Sequence, residues 1–78
     1  MRQYETFFTK GRRGSPAAIE AVIYEDRVTA SADTDKVTED QLLDALRDYW
    51  PDLAWTATAC GTLADGYWIA DGRIPCPR

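Results

Sequence analysis

The stretch that most constrains the fold is VTEDQLLDALRDYW, from Val37 to Trp50. Thr38 followed three residues later by Gln41 forms a capping box, in which each side chain accepts from the other's backbone N–H. Val37 and Leu42 stand at the two ends of a hydrophobic staple that fixes the entry angle of the chain. Glu39 and Asp40 fall in the first turn, where the helix dipole favours negative charge. Pro51 stops the helix by pushing Trp50 out of the α region. Leu42, Leu43, Leu46, Tyr49 and Trp50 recur at helical spacing as one apolar stripe, while Glu39, Asp40, Asp44, Arg47 and Asp48 take the other side. The pattern predicts a helix from Thr38 to about Trp50.

The remaining sequence reads mainly as strands. RQYETFFT (residues 2–9) is aromatic and β-branched, with Tyr4, Thr6 and Phe8 on one face and Phe7 opposite. KGRRGSP (10–16) is a turn or loop. AAIEAVIYE (17–25) allows two readings. Ser15-Pro16 can open a helix, but Ile19, Ala21 and Ile23 alternate with Glu20, Val22 and Tyr24, and the strand is preferred. RVTASA (27–32) follows across a tight Glu25-Asp26 connection that suits a hairpin. LAWTATAC (53–60) alternates as a strand with its large residue on one face. YWIA (67–70) is a further strand, Asp71-Gly72 a turn, and IPCPR an irregular extended tail.

The expected fold is therefore a single α+β domain of 78 residues in the order β-β-β-α-β-β. One amphipathic helix packs on one face of a four- to five-stranded antiparallel sheet. Its core is expected to combine Leu42, Leu43, Leu46 and Trp50 with Val22, Val28, Trp55, Ile69 and one of Phe7 or Phe8. On the half-covered face, leftover aromatics such as Tyr24 or Trp68 are candidate contacts where exposed, with core packing the preferred reading for any one of them. No internal repeat or linker divides the chain.

Composition then limits function. Histidine, the commonest general acid-base residue, is absent, which removes Ser-His and Cys-His nucleophile pairs. No glycine-rich phosphate loop occurs. Two cysteines, Cys60 and Cys76, are too few for a disulfide scaffold and have no metal-ligand spacing; two unrelated free thiols are expected. The chain reads as a non-enzyme without cofactor, metal or small-molecule substrate. No apolar run approaches the ~20 residues of a membrane span. MRQYETFFTK lacks the apolar core of a signal peptide, so a cytoplasmic location is expected.

Charge is distributed unevenly. Residues 1–14 carry Arg2, Lys10, Arg12 and Arg13 against Glu5, a local net of +3. The Lys10–Arg13 loop is one candidate for nucleic-acid contact, but an overall charge of −4 is the reverse of the usual nucleic-acid footprint. From Asp33 to Asp52, seven acids (Asp33, Asp35, Glu39, Asp40, Asp44, Asp48, Asp52) stand against Lys36 and Arg47, a local net of −5. Asp40, Asp44 and Asp48 recur every four residues on one helix face. A solvated surface that aids solubility accounts for these acids as well as a binding surface does.

In its small size, its acidity, its missing catalytic equipment and its TEDQLLDALRD carboxylate row, the chain resembles the small acidic inhibitors of phages and mobile elements, anti-CRISPR proteins among them. The resemblance is one of type, without a motif. It implies a protein partner within a nucleic-acid-handling complex in the host cytoplasm, bound at its basic, DNA-binding groove, and it carries over no functional residue. The seven acids are candidates for that contact on their charge alone. Two other readings stand beside it: a small subunit or regulator that joins a complex at an open sheet edge, and a nucleic-acid binder using the Lys10–Arg13 loop. A monomer or simple dimer is expected in each case.

Overall fold

The computed structural model describes residues 2–62 and 64–74. Five strands and one helix follow in the expected order: β1 (Gln3–Lys10), β2 (Pro16–Ile23), β3 (Arg27–Asp33), α1 (Glu39–Tyr49), β4 (Ala54–Cys60) and β5 (Tyr67–Arg73). All neighbours are antiparallel, in the spatial order β1-β2-β3-β5-β4. The chain leaves β3, crosses in α1 over one face, returns in β4 at the far edge, and fills the gap with β5. β1 and β4 are the two edges.

Residues 17–23 are strand and not helix, because Pro16–Ile23 pairs along its whole length with Lys10–Gln3. Alternation sends Ala17, Ile19 and Ala21 inward, fully buried, with Val28, Ala30 and Ala32 beside them on β3. The small inner side chains let Leu42 and Leu46, both completely buried, approach the sheet closely. Phe7, Leu43 and Trp50 pack at the margin of this core.

Two expected core residues lie on the other face. Val22 pairs with Tyr4 and Thr29 on the uncovered side, and Ile69, between Ser31 and Thr58, is 37% exposed. Both faces of β2 and β5 carry apolar residues, so the phase is set by the register with β3 and not by either strand alone. Trp68 is correspondingly turned inward and half-buried, its indole N–H donating to the Val37 carbonyl at 2.9 Å. Tyr24 is also only partly exposed. The exposed aromatics are Tyr4, Phe8, Tyr49 and Tyr67.

Asp71-Gly72 does not turn. β5 runs through both residues to Arg73, paired on both sides. Gly72 belongs in the strand because the Trp55 ring lies across it and leaves no room for a Cβ. Cys60 is a free thiol. Cys76 and the irregular tail expected after Ile74 lie outside the described residues.

Candidate functional site

The helix that carries the acidic row is fixed at both ends. At its start the Thr38 hydroxyl accepts from the Gln41 N–H (3.1 Å), and the Gln41 side-chain oxygen accepts from the Thr38 N–H (2.9 Å), the reciprocal capping box read from the sequence. Gln41 also donates through Nε2 to the Gly11 carbonyl at 3.1 Å, tying the helix to the β1–β2 loop. Val37 and Leu42 are both fully buried, as a staple requires. At its end, Trp50 leaves the helical region at φ −128° and ψ 78°, as a residue before proline does. Its carbonyl accepts from the Trp55 indole at 3.3 Å. Indole N–H groups from β5 and β4 thus hold the carbonyls that bracket α1.

Aromatic contacts complete the anchoring. Phe7 stacks on Tyr49 at 4.5 Å between centroids, Tyr49 leans on Trp50 at 4.5 Å, and Trp50 meets Trp55 at 5.9 Å. Side chains from both edge strands therefore converge on the last turn of the helix. The Tyr49 hydroxyl donates to Glu5 Oε1 at 2.9 Å. That hydrogen bond, then the charge of Glu5, then slight desolvation hold the phenol above its ordinary range.

On this scaffold Glu39, Asp40, Asp44 and Asp48 are all exposed. Arg47 is the only base from Val37 to Pro51, and it approaches Asp44 at 3.9 Å with both side chains largely in solvent. Such a pair does little to neutralise the face. The other three acids are dispersed. Asp35 lies at the entry to the helix, in an open groove of about 240 Å³ shared with Arg12, Arg13 and Lys36. Asp52 follows the helix, beside Trp50 and Leu53 in a depression at its far end. Asp33 ends β3 on the uncovered face near Tyr67 and Glu20, away from α1. The helix thus unites four of the seven acids, with one more at either end.

The basic loop is built into the structure. The Arg12 N–H donates to the Lys36 carbonyl at 2.8 Å, and Arg12 Nε donates to the Thr34 carbonyl at 2.9 Å. Thr34, 2% exposed, also donates its hydroxyl to the Thr62 carbonyl at 3.0 Å and its N–H to Gly66 at 3.2 Å. It therefore joins three loops at the entry of the helix. Nothing in the local sequence TDK marks it, since Arg12 and Thr62 lie 22 and 28 residues away and Gly66 is farther still.

Among the described residues, no group of three or more carboxylates or thiols converges to hold a metal ion, and no helix is long and apolar enough to cross a membrane. The chain matches no family model, no curated protein and no solved structure.

Proposed function

We propose that the protein is a non-enzymatic, anti-CRISPR-like inhibitor that presents the acidic face of α1 to the basic, DNA-binding groove of a nucleic-acid-handling complex. One observation carries this reading: Glu39, Asp40, Asp44 and Asp48 stand exposed on a helix anchored at both ends, with a single weak internal counter-charge. A rigid row loses little conformational entropy on binding, which favours a built surface over a loose solvated one.

Residues four apart in the row rise about 6 Å at ~1.5 Å each. Phosphates of one DNA strand come every ~3.4 Å along the duplex axis. The row offers roughly half the charge density of a strand, and Asp35 and Asp52 lengthen it without filling its gaps. The face accordingly serves as an electrostatic plug and not as a phosphate-by-phosphate copy. It should associate fast and weaken steeply with salt.

Capture from a nuclease-treated host lysate tests the proposal, with the parent chain and Asp44→Lys/Asp48→Lys as parallel baits. DNA-binding proteins retained by the parent and lost with the double variant support it. The same proteins on both baits would show that the acids only solubilise the surface.

A further inference from the structure

The two edges of the sheet differ in a way the acidic face does not explain. β1, QYETFFTK, carries the inward-facing Glu5 and ends in Lys10. Inward charges and edge lysines are devices by which natural sheets discourage pairing with another strand. β4, AWTATAC, has none of them. It holds no charge, no proline and no glycine, in a chain of which 28% is charged. Its seven residues pair with β5 in unbroken register from Ala54↔Arg73 to Cys60↔Tyr67, so no bulge twists the edge away. Among the described residues, no element pairs with its outer side.

We propose that β4 is a self-pairing edge, through which two copies of this chain join antiparallel into one ten-stranded sheet. The sequence of the strand selects both the occupant and the register. Backbone groups alternate in direction along a strand, so an antiparallel joint about a two-fold axis pairs residues of like parity. Centring the axis on Ala57 engages all seven residues, whereas any other centre shortens the ladder. Ala57 then faces itself, Thr56 faces Thr58 of the second copy, and the bulky Trp55 faces the small, exposed Ala59. Thr–Thr pairs are favourable across antiparallel strands, and no like charges meet. The axis runs perpendicular to the sheet, so both helices stand on the same side. A seven-residue ladder is small beside the ~800 Å² per partner of a standard interface. The dimer is therefore reversible and grows with concentration.

Sedimentation velocity over a concentration series tests this on the full chain. The parent is expected to shift from the 8.8 kDa chain mass toward twice that value. Thr56→Lys/Thr58→Lys sets like charges opposite one another across the joint and should weaken association about tenfold or more. Thr56→Lys/Thr58→Glu sets opposite charges there and should restore it. Both positions are exposed, so far-UV circular dichroism should show each variant folded. Amide exchange in β4 of the parent should slow as concentration rises. A parent still monomeric at ~1 mM, the weak end of measurable affinity, overturns the proposal. So does a pair of variants that associate equally well or equally poorly.

Discussion

The indole of Trp55 lies flat against Gly72: a Cβ at Gly72 would stand 2.7 Å from the ring carbons, well inside van der Waals contact. The absent side chain on β5 is what allows a tryptophan on the edge strand to lean inward and close the core. Gly72→Ala should therefore destabilise the fold by about 1–3 kcal/mol through overpacking. Urea unfolding measures it, and a parental midpoint would place the ring elsewhere.

Leu46 is completely buried at the centre of the helix–sheet contact. Leu46→Ala should cost about 2–5 kcal/mol through lost burial and the cavity left behind. A domain of this size has only roughly 4–12 kcal/mol to lose, so the thermal midpoint should fall sharply. An unchanged midpoint would mean that another face of α1 meets the sheet.

Trp68→Phe removes the indole N–H that satisfies the Val37 carbonyl. With the ring volume partly kept, the loss should be about 1–3 kcal/mol, the cost of a buried acceptor left unpaired. Amide exchange should quicken first at the start of α1. Uniform quickening along the helix would contradict a local clamp.

Tyr49 should ionise above the ordinary 10.0, because its hydroxyl donates to Glu5. A pKa raised in the folded state contributes stability that is complete below the unfolded value and is lost as pH rises through the folded one. The contact therefore weakens only in strongly alkaline solution and is intact at neutral pH. Glu5→Gln removes the charge that opposes the phenolate and should lower the Tyr49 midpoint, as read by NMR of the ring carbons. A midpoint unmoved by that change would separate the two side chains.

The helix was legible in the sequence because its signals are local: Val37, Thr38, Gln41 and Leu42 act on one another around its first turn, and Pro51 acts on its neighbour Trp50. The strands were legible too, but their facing was not. Val22 and Ile69 look as apolar as Ile19 and Ala70, and only pairing with β3 decides which of them turns inward. Asp71-Gly72 has the composition of a turn, and its place inside β5 depends on a tryptophan 17 residues earlier in the chain. Exposure of Glu39, Asp40, Asp44 and Asp48 followed from helical periodicity. The separation of Asp33 from that row came from strand parity at the end of β3, and the anchoring of Arg12 came from contacts between distant loops.

The central claim, that the acidic face of α1 occupies a groove built for DNA, is tested most directly by competition. The partner captured by the parent chain is challenged with increasing duplex DNA, and its release is followed at several salt concentrations. The account predicts displacement by duplex at low salt, weaker retention as salt rises, and no retention by Asp44→Lys/Asp48→Lys. A partner that binds the chain and duplex DNA at once, with an affinity indifferent to salt, would contradict it.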